Sequence, residues 1–256
     1  MKTHAGDLTQ GGILKNILMV AIPIVGTQML QMAYNLTDMF WLGRMENSVT
    51  AVAASGIAGM FMWLGAALMV IGSVGAEIGV SQNLGSGNRQ AAQDYAQTAG
   101  RIGLVLGSLY GLVLIILAEP LISLMQVREA DVFQNACNYL RIVGLGEPFV
   151  YLSAAITSSF NGAGKSRLSF LANATGLVVN MTLDPLMILG LGWGVKGAAI
   201  ATMIAQAIVC GMLIVFAKRH PQRSFEDYRV FGKVDASRVR QIFFWSLPLV
   251  LESAAF

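Results

Sequence analysis

Three carboxyl-bearing residues, Asp38, Glu147 and Asp184, fall inside long apolar stretches of this 256-residue chain. An ionisable group held in hydrocarbon costs about 2.5–3.5 kcal/mol on insertion scales, so each marks a functional site by default. Their neighbours sharpen the signal. Tyr34 and Asp38 are spaced i, i+4, with Asn35 between them at i−3 from the aspartate. Asn180 and Asp184 are again i, i+4, as are Thr202 and Gln206 further on. On a helix these spacings bring side chains into contact, so each aspartate gains an amide partner, Asn35 for Asp38 and Asn180 for Asp184. Two carboxylates that approach each other at low dielectric cannot both stay ionised cheaply. One takes up a proton, or a cation settles between them. That is the chemistry of a site driven by H+ or Na+, and oxygens of carboxylate, amide and hydroxyl type suit either ion. The alternative is that each aspartate is neutral or paired and only ties helices together.

The elements that must hold these groups are membrane spans. The chain is 55% hydrophobic and 12% charged, about half the charge of an ordinary soluble domain, and its mean hydropathy is +0.62. Crossing a bilayer takes about 20 apolar residues in a helix. Six such stretches run over 13–43, 50–73, 97–118, 138–157, 168–190 and 195–217, the second extending as helix to about Leu84. They are too long and uniformly apolar for barrel strands. Breakers separate them: Gly85-Ser86-Gly87-Asn88, Glu119-Pro120 and Asn161-Gly162-Ala163-Gly164. With the N-terminus inside, 13 of the 17 Lys and Arg lie on the inner side, which the positive-inside rule requires of the cytoplasmic face. Asp38, Glu147 and Asp184 then sit at one depth, about 8–9 Å below the outer surface at 1.5 Å per residue. One shared outer-half cavity is the expectation. Pro23, Pro148 and Pro185 lie inside spans, and a bend at Pro185 would move the adjoining Asp184.

The expected fold class is all-α and integral to the membrane: a six-helix bundle over 1–217, a cytoplasmic linker over 218–241 with a short amphipathic helix near 235–241, and the start of a seventh span over 242–256. The last assignment rests on a repeat. Lys15-Asn16-Ile17-Leu18-Met19-Val20-Ala21-Ile22-Pro23 aligns with Arg240-Gln241-Ile242-Phe243-Phe244-Trp245-Ser246-Leu247-Pro248 at a constant offset of 225, from 240 − 15 and 248 − 23. Transporters are commonly built from such repeats, with the substrate site between them. Phe256 would fall mid-helix, so the sequence reads as a fragment with about as much again missing.

Other classes are weakly supported. There is no His cluster, metal-ligand spacing, nucleophile elbow or P-loop, which disfavours an enzyme. A net charge of +3 is no nucleic-acid signature. Cys137 and Cys210 lie near opposite ends of their helices, beyond the roughly 7 Å between Cα atoms that a disulfide tolerates.

The run Tyr34-Asn35-Leu36-Thr37-Asp38-Met39-Phe40-Trp41-Leu42-Gly43-Arg44 resembles the first-helix signature of multidrug and toxic-compound extrusion (MATE) transporters. Ser81-Gln82-Asn83-Leu84-Gly85-Ser86-Gly87-Asn88 is similar to the motif after their second helix, and Asn161-Gly162-Ala163-Gly164-Lys165 to their helix 4–5 loop. Asn180-Met181-Thr182-Leu183-Asp184-Pro185 with Gly194-Val195-Lys196-Gly197-Ala198-Ala199 resembles the helix 5–6 region, and its Asn…Asp-Pro pattern resembles the DNA-damage-inducible branch. The resemblance covers essentially the whole chain. It implies twelve helices in two lobes, this chain being the first, in the cell membrane with a cytoplasmic N-terminus. It implies efflux of organic, often cationic compounds against an inward H+ or Na+ gradient, with no cofactor beyond the coupling ion. Tyr34, Asp38, Asn180, Asp184 and Thr202 match the ion-coupling positions, and a Na+ would lie among Asp38, Asn180, Asp184 and Thr202. Asn35, Glu147 and Gln206 are placed on the wall of the substrate cavity. Glu147 departs from the pattern, where an apolar residue is usual before the proline. The implied partners are small organic molecules, the bilayer and the missing C-terminal lobe. The alternative reading is a lipid-linked precursor flippase of the same architecture. That cavity should carry several basic residues for a pyrophosphate, whereas the buried charge here is acidic.

Overall fold

The computed structural model describes residues 13–219, 228–232 and 235–255. Their backbone is helical almost throughout: α1 (Ile13–Leu42), α2 (Ser48–Gly85), α3 (Arg89–Ile116), α4 (Ala118–Leu124), α5 (Ala130–Gly162), α6 (Ser166–Pro185), α7 (Gly194–Arg219) and α8 (Ala236–Ala255). Backbone groups in hydrocarbon must pair within the segment, which leaves helices for spans of this length. Among the described residues six helices are long and apolar enough to cross a membrane: α1, α2, α3, α5, α6 with its extension to Gly190, and α7. The two glycine breakers end helices where expected, whereas Glu119-Pro120 lies in the first turn of the short α4. Gly87 and Gly164 take the left-handed backbone, at φ +79° and +69°, which glycine adopts without a Cβ penalty. At the second turn the Lys165 N–H donates back to the Phe160 carbonyl at 2.8 Å, closing α5 with a Schellman-type cap. The Asn88 side chain accepts from the Ala91 N–H at 3.1 Å and starts α3.

Packing runs α1 on α6, α6 on α7, α7 on α5, and α5 on both α2 and α3. The α3–α5 seam is the tightest, and small residues make it so. A Cβ at Gly103 would stand 2.8 Å from the Tyr151 carbonyl oxygen, and one at Gly107 2.7 Å from that of Glu147. Pro148 has no N–H to offer the Gly144 carbonyl, and that carbonyl abuts Gly111 instead. Such stripes let backbones approach where lipid supplies no hydrophobic drive. The outside is apolar: Leu14, Ile22, Val25, Met29 and Met32 on α1 are all exposed, as a lipid-facing helix requires.

The stretch read as linker folds more fully than expected. Residues 236–241, near the anticipated amphipathic helix, are the first turns of a continuous α8. α8 packs on α2 and α3: Ser246 donates to the Ile71 carbonyl at 2.9 Å, the Tyr95 hydroxyl to Gln241 at 2.5 Å, and Arg238 pairs with Asp94 at 2.9 Å. Arg101 donates to the Val230 and Arg229 carbonyls, each at 3.2 Å, so 228–232 lies against α3. The rest of that stretch, 220–227 and 233–234, falls outside the described residues.

Candidate functional site

Asn180 and Asp184 project from the last turn and a half of α6 and are completely buried. The amide Nδ2 of Asn180 donates to Asp184 Oδ1 at 3.2 Å, the contact their spacing predicts. Directly after Pro185 the helix widens into a π-turn, Leu186–Gly190, closed by the Leu191 N–H on the Leu186 carbonyl at 2.8 Å. Single π-turns of this kind recur at functional sites. The start of α7 lies against this turn because Gly197 has no side chain; a Cβ there would stand 2.6 Å from the Met187 carbonyl oxygen.

Asp38 and Tyr34 reach the same place from α1, and Thr202 from α7. The Thr202 hydroxyl donates to Asp38 Oδ2 at 3.1 Å and accepts from Asn180 Nδ2 at 3.4 Å. A chain of polar contacts therefore runs Asp184–Asn180–Thr202–Asp38 across three helices and puts the two carboxyl groups in one electrostatic neighbourhood. Apolar packing of Tyr34, Leu177 and Ala205 closes one side. Tyr34 adds its hydroxyl to the surroundings of both carboxyls.

Four buried oxygens here have no hydrogen-bond partner: Asp38 Oδ1, Asp184 Oδ2, Asn180 Oδ1 and the Tyr34 hydroxyl. Buried polar atoms are normally satisfied, and four orphaned oxygens beside two carboxyls are the donor set of an ion site. An all-oxygen set with at most two negative charges fits a monovalent hard cation or a proton.

Tyr34, Asp38, Asn180, Asp184 and Thr202 are thus brought together. Asn35 is not: it is exposed and outside the network. At 100° per residue it lies about 80° around α1 from the midline of Tyr34 and Asp38, and α1 buries mainly the narrow strip that meets α6. The partner of Asp38 is therefore Thr202 of another helix, which corrects the Asn35 pairing. Tyr139 of α5 was missed. It is buried within the field of both carboxyls. Its spacing gave no signal: it lies about 80° around α5 from Glu147, and only the packing of α5 brings it to the carboxyl pair.

Glu147 sits elsewhere. It is 4% exposed and lines a cavity of about 140 Å³ between α2, α5 and α7, with Met62, Met69, Met203, Thr202 and Gln206. The single cavity expected for three carboxyls resolves into two places, a pair at Asp38/Asp184 and a methionine-walled cavity around Glu147. Thr202 borders both.

Six apolar spans, three of which, α1, α6 and α7, enclose a buried carboxyl pair, define a polytopic membrane helix bundle. Comparison with known proteins narrows this further. The chain belongs to the MatE family, whose model matches residues 23–186. It is 26% identical over 216 residues to the probable multidrug resistance protein NorM of Thermotoga maritima, covering 82% of this chain and 46% of that protein. It is 27% identical to the probable multidrug resistance protein YoeA of Bacillus subtilis, covering 87% and 49%. Among solved structures it is similar to a MOP superfamily transporter from Pyrococcus furiosus Vc1, with TM-score 0.83, 25% identity, and 99% of this chain on 56% of that one. A MATE in complex with MaD3S shares the fold at TM-score 0.88 and 22% identity, over 99% and 56% of the two chains. The chain spans about half the length of the curated relatives it matches.

Proposed function

We propose that this chain is the N-terminal lobe of a secondary transporter in the cell membrane that expels organic, cationic or amphipathic compounds. Inward flow of H+ or Na+, bound at Asp38 and Asp184, drives the export. The observation that carries this reading is the buried carboxyl pair bridged by Thr202 and Asn180 and ringed by unpartnered oxygens. Asp38 and Asp184 supply the charge that attracts the ion. Asn180, Thr202 and Tyr34 supply the remaining oxygens and hold the carboxyls at one place. Binding compensates the repulsion between the two carboxylates, and release restores it. The ion thereby favours one packing of α1 against α6 and α7 over another, which is what coupling requires. The π-turn after Pro185 gives Asp184 a backbone that can rearrange at low cost. Inner-side enrichment of Lys and Arg supports a cytoplasmic N-terminus, and the second lobe would complete the substrate path.

The test is dye efflux from liposomes holding the full-length protein, with a proton gradient or a sodium gradient imposed separately. Efflux is expected under one gradient and should cease when the matching ionophore collapses it. Efflux that ignores both gradients would overturn the reading.

Thr202 offers a finer test of the site. Thr202→Val keeps the shape and removes the hydroxyl from Asp38 and Asn180. A hydrogen bond to a charged group is worth about 1.5–3 kcal/mol, so the ion concentration for half-maximal efflux should shift at least about tenfold, upward for Na+, which loses an oxygen ligand, and downward for H+, because the ionised carboxylate loses its donor. Thr202→Ser should stay near the parent value.

A further inference from the structure

Glu147 is more than nine-tenths buried and makes no hydrogen bond or ion pair with any described residue. The two tyrosines beside it are committed elsewhere. The Tyr110 hydroxyl donates to the Phe61 carbonyl and the Tyr151 hydroxyl to the Gly65 carbonyl at 2.6 Å. No basic side chain lines the cavity it faces. A carboxylate in such surroundings is costly unless a proton or a positive charge meets it, and among the described residues no side chain of the cavity supplies one.

The cavity says what kind of cation. At about 140 Å³ it holds one benzene-sized group, since an apolar cavity of roughly 150 Å³ takes up benzene. Its walls are mainly Met62, Met69, Met203 and short apolar side chains. Methionines are polarizable and adapt their shape, but they cannot replace the hydration shell of a small metal ion. A weakly hydrated head with methyl groups on a nitrogen suits them. Met203 packs on Gly146, beside the carboxylate.

We propose that Glu147 is the counter-ion for the quaternary ammonium head of an organic cation seated in the methionine-walled cavity between α2, α5 and α7. This rests on reading the chain as part of an exporter of organic compounds, and it assigns the selection of charge to Glu147 rather than to the aspartate pair. Because Thr202 borders the cavity and also holds Asp38, an occupant touches the residue that positions the ion site.

The experiment compares choline with its uncharged carbon isostere, 3,3-dimethylbutan-1-ol, as ligands of the purified full-length protein at fixed pH and without a gradient. The parent should bind choline at least about tenfold more tightly than the isostere, the scale of a charge-assisted contact. Glu147→Gln should erase the preference by weakening choline alone, while Glu147→Asp keeps part of it. Met203→Lys, which delivers an ammonium to the same carboxylate, should also abolish choline binding and serves if Glu147→Gln does not fold. A parent without preference, or a Glu147→Gln variant that retains it, overturns the proposal. Asp184→Asn separates the two readings. Choline preference that survives there, with gradient-driven efflux lost, supports both. Efflux intact in that variant sinks only the coupling assignment.

Discussion

Replacing Asp184 by asparagine in the full-length protein is expected to reduce gradient-driven efflux to the rate of protein-free liposomes, a loss on the order of 100-fold or more. The substitution keeps the shape and an oxygen that can still accept from the Asn180 amide, a contact of 3.2 Å in the parent. Folding and insertion should therefore hold. What disappears is the negative charge, and with it the ability to take up and release a cation against Asp38. A site that no longer distinguishes loaded from empty has no differential affinity with which to shift a conformational equilibrium. Asp38→Asn should act in the same direction, because its carboxyl faces the same space and receives the Thr202 hydroxyl at 3.1 Å. The pair works as a unit, so the double variant should be no worse than either single one. Unimpaired efflux in both single variants, with normal insertion, would reduce the aspartates to ties between helices.

The second large effect lies in the α3–α5 seam. Gly107→Val is expected to lower the yield of folded protein sharply and to cost about 3 kcal/mol in stability, the upper part of the usual range for overpacking. The obstacle is backbone. A Cβ at Gly107 would stand 2.7 Å from the Glu147 carbonyl oxygen and 2.9 Å from Tyr151 Cβ, and a carbonyl in a helix cannot swing aside as a side-chain tip can. α5 would have to shift as a body, carrying both Glu147 and Tyr139. Thermal unfolding of purified protein should show the loss, and choline binding should weaken with it. Gly59→Ala is the control: a Cβ there meets nothing within 4 Å, and alanine favours helix over glycine by up to about 1 kcal/mol. It should be neutral or stabilising. Equal damage from both substitutions would mean that the seam is no more sensitive than the rest of the bundle.

Much of this protein is legible in the chain. Span length and composition decide that the bilayer is its solvent, and hydrogen-bond satisfaction in hydrocarbon then decides helices. The glycine turns at 87 and 164 mark helix ends because glycine takes the left-handed bend without a Cβ penalty. The Asn180–Asp184 contact follows from helical periodicity alone, since both groups ride on one rigid rod. Five of the residues picked out, Tyr34, Asp38, Asn180, Asp184 and Thr202, do meet. What the residues could not reveal is how each rod is turned about its own axis. Periodicity allows Asp38 to meet Asn35 about as well as anything else. The narrow contact of α1 with α6 leaves Asn35 outside and hands Asp38 to Thr202, 164 residues away. Equal depth suggested one cavity for three carboxyls. The rotation of α5, set by glycines on α3 and by Pro148, turns Glu147 instead toward Met62, Met69 and Met203. Local chemistry is written in neighbouring residues, so the sequence by itself determined the class, the spans and the helical pairs. Which faces meet is decided by the summed packing of distant side chains, so the tertiary structure alone divided the buried charge into two sites joined at Thr202.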